Sequence, residues 1–139
     1  MSERNETPRW SDRPAALDTV TEAVGQRVVV EVSGELDLST GPALEQQLVT
    51  LIDDGVTDIV LDLSGVSFID SSGLGVLVVA LKRLRFRGGA LRLAGCQPPV
   101  RTVLDITALS RIFFMYPTVD AALADPLVYL PPGRAPDQQ

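Results

Sequence analysis

Strand and helix patterns alternate along the middle of this 139-residue chain, and this order constrains the fold more than any other feature. Apolar and polar residues mostly alternate within the segments 27–33, 57–63 and 90–94, a pattern that favours strands. Each of them is followed by apolar residues at helical spacing. A strand–helix–strand unit places its two strands parallel, because the helix carries the chain back along the sheet. The central region therefore predicts a partly parallel sheet covered by helices.

Two further strands are predicted at the ends of this region. Residues 17–24 precede a turn at Gly25-Gln26 and are expected to pair antiparallel with the next strand, and residues 111–115 form a last short strand. Asp58 and Asp62 are expected to point outward, so that one face of the sheet is well covered and the other only partly. The predicted fold class is α/β, a single domain with a mixed sheet of about four to five strands and about four helices.

The domain boundaries follow from composition. Residues 1–14 are polar and carry two prolines, which indicates a flexible N-terminal arm. Residues 125–139 are rich in proline and are expected to form a C-terminal tail. Residues 15–124 lie between them and have the length of one domain with its own core.

The residue counts exclude several kinds of chemistry. The chain has no histidine and one cysteine, so nucleophile systems that depend on histidine, internal disulfides and thiolate-rich zinc sites are excluded. We expect no metal and no cofactor. A net charge of −6 makes nucleic acid and anionic membranes unexpected partners. No signal peptide or spanning segment is evident, which favours a cytoplasmic protein.

The most informative segment is Asp-Ser-Ser-Gly-Leu-Gly at 70–75, where a strand ends and a helix begins. The amides of Gly73, Leu74 and Gly75 are expected to point outward at the positive end of the helix dipole. Such a place can hold an anion, or a phosphate on a capping serine. Helix capping alone explains the same residue types and is the commoner role.

Asp37 is a second candidate. It follows a strand, so in a partly parallel sheet it is expected to lie at the same edge as Asp70 and Ser72. It could equally satisfy its own turn or cap the helix that begins near Thr40. A catalytic carboxylate pair is not favoured, because no partner acid, base or metal ligand is evident nearby.

Two other features carry weaker signals. Cys96 has no close basic neighbour in sequence, so a reactive thiol is not expected. Four cations end the second predicted helix. They suit a solvated helix C-terminus, or they could dock an acidic partner surface. They are Lys82, Arg83, Arg85 and Arg87.

The span 17–124 resembles the STAS domain of anti-sigma factor antagonists, bacterial proteins that release sigma factors from kinase-type anti-sigma factors. The resemblance rests on four strings. They are Val-Ser-Gly-Glu-Leu-Asp at 32–37, Asp-Leu-Ser-Gly-Val-Ser-Phe-Ile-Asp-Ser-Ser-Gly-Leu-Gly at 62–75, Gly-Ala-Leu-Arg-Leu-Ala-Gly at 89–95 and Leu-Asp-Ile-Thr-Ala-Leu at 104–109.

The resemblance implies that Ser72 is a phosphoacceptor and that Asp37 helps a kinase to recognise it. The unphosphorylated form would bind an anti-sigma factor, which phosphorylates the serine with ATP, and a serine phosphatase would reverse the reaction. The chain would then be a substrate and a switch, and not an enzyme. The predicted partner-binding residues are Asp37, Asp70, Ser71, Gly73 and Leu74.

Two alternatives remain open at this point. One is a nucleotide-binding or nucleotide-hydrolysing domain, for which the helix start at Gly73 is the only feature, since neither dinucleotide nor phosphate-loop motif is complete. The other is a STAS partner subunit of a lipid-transport or stress-sensing complex.

Overall fold

The computed structural model describes residues 17–126 and confirms an α/β domain with a mixed sheet. The predicted arm, 1–14, and residues 127–139 of the predicted tail lie outside the described residues. The strands are β1 (Leu17–Val24), β2 (Arg27–Leu36), β3 (Asp58–Ile69), β4 (Ala90–Ala94) and β5 (Phe114–Tyr116). The helices are α1 (Gly41–Asp53), α2 (Ser71–Phe86), α3 (Pro98–Ile106) and α4 (Val119–Ala124), with a 3-10 turn at Leu109–Arg111.

The strands lie in chain order, β1-β2-β3-β4-β5. β1 and β2 are antiparallel, and Gly25 takes the left-handed conformation (φ 62°) that lets two residues close this hairpin. The remaining neighbours are parallel, as the strand–helix–strand order predicts. The carboxyl ends of β2 and β3 therefore meet at one edge of the sheet.

The two faces of the sheet are covered unequally, which confirms the expectation from the strand patterns. On the first face, a large apolar core joins β2, β3 and β4 to α1, α2 and α3. The second face has a small apolar cluster, in which Val29, Val60 and Ala94 pack against Ala122 of α4.

A buried charged cluster lies on the second face and corrects one expectation. Asp58 does point away from the main core, but it is only 5% exposed. Its carboxylate accepts a 2.5 Å hydrogen bond from the fully buried Arg92 and lies 3.7 Å from Arg27. Arg27 also donates to the carbonyls of Ala122 and Leu123, both at 3.0 Å. The cluster thus fastens the end of α4 to the sheet.

Three predicted strands have wrong boundaries. β2 continues to Leu36 instead of ending at 33, and β3 continues to Ile69 instead of ending at 63, because the two strands stay paired through two register shifts. The strand predicted at 111–115 is replaced by the 3-10 turn and the shorter β5, which pairs with only three residues of β4.

Within residues 17–126, no helix has the length and apolar composition needed to cross a bilayer.

Candidate functional site

The last residue pair of β2 and β3 brings two acidic residues to the same edge of the sheet. Leu36 is in register with Ile69, and the Asp70 amide donates to the Leu36 carbonyl at 3.2 Å. Asp37 and Asp70 each follow directly, so the chain leaves both strands side by side. The predicted shared edge is confirmed.

Asp37 organises the loop that leads into α1. Its Oδ1 accepts hydrogen bonds from the Ser39 amide (3.0 Å), the Ser39 hydroxyl (2.8 Å) and the Thr40 amide (3.2 Å). The bond from the Ser39 hydroxyl is the main reason that the pKa of Asp37 is below its ordinary value. Asp37 therefore satisfies its own turn, which was one of the two roles expected. The loop holds Leu38 in solvent, with 74% of its surface exposed.

The residue that caps α2 is Asp70 and not a serine. Its carboxylate accepts from the Gly73 amide at 3.0 Å, and its carbonyl accepts from the Leu74 amide at 2.9 Å. The amide of Gly75, the fifth helical residue, falls within the regular helical ladder. The predicted anion cradle at 73–75 is therefore not formed. The nucleotide-binding alternative loses the feature on which it rested.

Ser72 lies in the first turn of α2 and reaches a cleft between α1 and α2. The cleft has a volume of about 460 Å³. Ser72 is half-buried, whereas Ser71 is exposed and is not among the lining residues. The other lining residues are Leu38, Gly41, Pro42, Glu45, Gln46, Val49, Val76 and Arg83. The two serines are thus chemically alike but placed differently.

Sequence reasoning missed the α1 side of this cleft. The helices approach closely there, since a Cβ at Gly41 would lie 3.3 Å from Cγ2 of Val76. Leu38 was the one residue that could have indicated this surface from the sequence, because it is an apolar residue in a polar turn. No periodicity argument could place Pro42 or Gln46 opposite Ser72.

Two of the predicted partner-binding residues are buried beneath this surface. Leu74 is only 9% exposed and belongs to the main core. Gly73 is buried, and a Cβ there would lie 2.5 Å from the Leu36 carbonyl oxygen. Both residues pack the start of α2 against β2, and a direct contact of Gly73 or Leu74 with a partner stays a prediction. Asp37, Asp70 and Ser71 remain at the surface.

Comparison with known proteins identifies the family. The family model described as the STAS domain matches residues 18–122, about three quarters of the chain. This chain belongs to the STAS domain family. Its relatives include the anti-sigma-B factor antagonist of Staphylococcus epidermidis, which is 40% identical over 80 residues, covering 58% of this chain and 74% of that protein.

Solved structures resemble this STAS domain over most of its length. An anti-sigma factor antagonist from Mycobacterium paratuberculosis is 35% identical with a TM-score of 0.74, covering 80% of this chain and 94% of that one. Unphosphorylated SpoIIAA, also an anti-sigma factor antagonist, is 29% identical with a TM-score of 0.68, covering 76% of this chain and 93% of that one. The phosphorylated form of SpoIIAA, from Bacillus, matches at 28% identity and a TM-score of 0.63, covering 76% and 96%.

The single thiol of this STAS domain is expected to be unreactive. Burial raises the pKa of Cys96 to about 11. At pH 8 only about one thiol in a thousand would be ionised. We expect iodoacetamide to alkylate Cys96 far more slowly in the folded protein than in urea, as measured by mass spectrometry. Equal rates in the two states at pH 8 would show that burial does not protect the thiol.

The described residues also contain no candidate metal-binding site. Within residues 17–126, no group of three or more carboxylate or thiol side chains is placed to hold a metal ion.

Proposed function

We propose that this STAS domain protein is an anti-sigma factor antagonist that binds a kinase-type anti-sigma factor and thereby releases a sigma factor. Phosphorylation of Ser72 by that kinase switches the binding off. One observation carries the proposal: Ser72 lines the cleft between α1 and α2, beside the loop that Asp37 organises. The names of the relatives support the same general role.

The docking surface consists of the Asp37 loop, the turn at Asp70-Ser71 and the exposed side of α2. Leu38 and Pro42 give this surface apolar area, and Ser72 lies at the cleft beside them. A partner that covers the cleft removes water from around Ser72. A charge added there is then desolvated against the partner.

Phosphorylation adds about −1.5 to −2 charges to a chain whose net charge is −6. Asp37 and Asp70 lie at the same edge of the sheet, so the phosphate joins two carboxylates there, while Glu45 and Arg83 add one charge of each sign to the lining of the cleft. Burying such a charge against a packed or acidic partner costs several kcal/mol, which is about two orders of magnitude in affinity or more.

The fold itself accommodates the phosphate. Ser72 occupies the first turn of α2, where the positive end of the helix dipole stabilises an anion by about 0.3–1 kcal/mol. That gain is much smaller than the cost at the interface. The switch therefore acts on binding, with little change in the conformation of the domain.

In this proposal the protein catalyses nothing. It is the substrate of the anti-sigma factor kinase, and a serine phosphatase restores the binding form. It acts in the cytoplasm, where sigma factors and ATP are found. No nucleic acid or membrane contact is required.

The experiment that tests this proposal is phosphorylation in vitro. The full chain is incubated with the anti-sigma factor kinase of the same cell and ATP, and the modified residue is located by mass spectrometry. We expect a single phosphate on Ser72, with Ser72→Ala as the unmodified control. Phosphate on the exposed Ser71, or no phosphate, contradicts the assignment.

A further inference from the structure

A cationic patch with an exposed aromatic ring lies at the C-terminal end of α2. We define it as Lys82, Arg83, Phe86 and Arg87, which line a second cleft of about 320 Å³ together with Ile52. Phe86 is 77% exposed. It lies about 20 Å from Ser72 along the helix, given a rise of about 1.5 Å per residue. The phosphorylation switch makes no use of it.

The charges of the patch are concentrated in fewer than two helical turns. Lys82, Arg83 and Arg87 carry the same sign within six consecutive residues, and Arg83 and Arg87 are spaced so that like charges repel. Among the described residues, Arg87 pairs with Asp53 at 3.3 Å, whereas no carboxylate lies within ion-pair distance of Lys82 or Arg83. In a chain of net charge −6, this arrangement favours an acidic occupant.

A hydrogen bond connects the patch to α1, and the aromatic ring of the patch lies in solvent. Nη1 of Arg87 donates to the Ile52 carbonyl at 2.8 Å, which ties the end of α2 to the end of α1. A preference for cations at a helix C-terminus explains part of the charge, but it does not explain an exposed phenyl ring. Aromatic and arginine side chains together are typical of the energetic centres of interfaces.

The patch is continuous with the cleft reached by Ser72. Arg83 lines both clefts, so they share a wall along the same face of α2. A partner that lies along the groove between α1 and α2 would therefore reach Phe86 as well.

We propose that the cationic patch binds an acidic segment of the same anti-sigma factor, with an apolar side chain of that segment covering Phe86. The inference rests on the proposed function, since it names a second contact for the same partner. Phe86 carries no charge and lies about 20 Å from Ser72, beyond the separation of about 7–10 Å at which substitutions cease to couple. The contribution of Phe86 is therefore independent of the phosphate.

The test measures the affinity of the anti-sigma factor kinase for the full chain by calorimetry. We expect Phe86→Ala and Arg83→Glu each to weaken binding about tenfold. For Arg83→Glu, the loss should shrink as salt is raised. For Phe86→Ala, the loss should be the same factor in the unphosphorylated and the Ser72-phosphorylated protein.

Ile106→Ala and Arg111→Glu are matched controls on the α3 side, since Ile106 is 79% exposed and Arg111 is an exposed cation. Both controls should bind like the wild type.

The outcomes separate the two proposals. If the wild type binds the kinase and Phe86→Ala and Arg83→Glu bind equally well, the patch proposal is overturned while the proposed function stands. If the wild type binds no anti-sigma factor kinase, the proposed function fails and the patch proposal fails with it. Binding to vesicles of anionic lipid that is lost in Phe86→Ala, with unchanged kinase affinity, would assign the patch to a membrane and overturn the proposal.

Discussion

Ser72→Asp is expected to weaken binding to the anti-sigma factor kinase by about tenfold or more, whereas Ser72→Ala keeps the affinity of the wild type. The aspartate places one negative charge at the cleft between α1 and α2, beside a region that already holds Asp37 and Asp70. The alanine removes only a hydroxyl from a half-buried position. Calorimetric titration of each full-length variant with the kinase measures the difference.

Ser71→Asp is the matched control for this experiment. It adds the same charge one residue earlier, but the Ser71 side chain is exposed and does not line the cleft. We expect a smaller loss of affinity, because Ser71 lies outside the cleft, where water and salt screen a charge more strongly than at Ser72. Equal losses for the two aspartates would mean that charge anywhere near the start of α2 matters and that the cleft does not. Wild-type affinity for Ser72→Asp would refute the electrostatic account.

The second large effect concerns stability. Asp58→Asn is expected to lower the free energy of unfolding by about 3–5 kcal/mol, because it removes the negative charge that compensates two buried guanidinium groups. Arg92 is fully buried and Arg27 nearly so, and both are paired with this carboxylate. Urea unfolding followed by circular dichroism gives the difference through the shift of the midpoint.

Asp53→Asn provides the comparison on the surface. Asp53 also pairs with an arginine, Arg87, but both side chains are about half exposed. Exposed pairs contribute less than about 1 kcal/mol, so this variant should unfold close to the wild type. If the two variants lose the same stability, the buried cluster does not hold the second face of the sheet together.

Local patterns predicted the elements of this fold well, because the strands alternate and the helices begin at clear signals. β1 and β4 have the predicted ends, and the hairpin at Gly25 follows from its turn residues. The buried cluster could not be predicted in the same way. Periodicity places Asp58 and Arg92 on the second face, but only the tertiary path of α4 covers that face and buries them.

The candidate site, too, could be predicted only in part from the sequence. Parallel pairing was enough to bring Asp37 and Asp70 to one edge, and the resemblance to STAS domains pointed to Ser72. Which residue caps α2 depends on atomic geometry, since Asp70, Ser71 and Ser72 are all good capping residues. The groove between α1 and α2, with Leu38 at one end and Phe86 beyond the other, depends on how two helices pack and has no signature in either helix alone.

The most direct test of the account compares one preparation of the protein before and after phosphorylation of Ser72. The dissociation constant of the kinase complex is measured for both forms, and amide chemical shifts are recorded for both forms without the kinase. The account predicts an affinity loss of about a hundredfold or more, with shift changes confined to the start of α2 and the neighbouring loop at Asp37. Unchanged affinity, or shift changes spread through the whole sheet, would contradict a switch that acts at the interface.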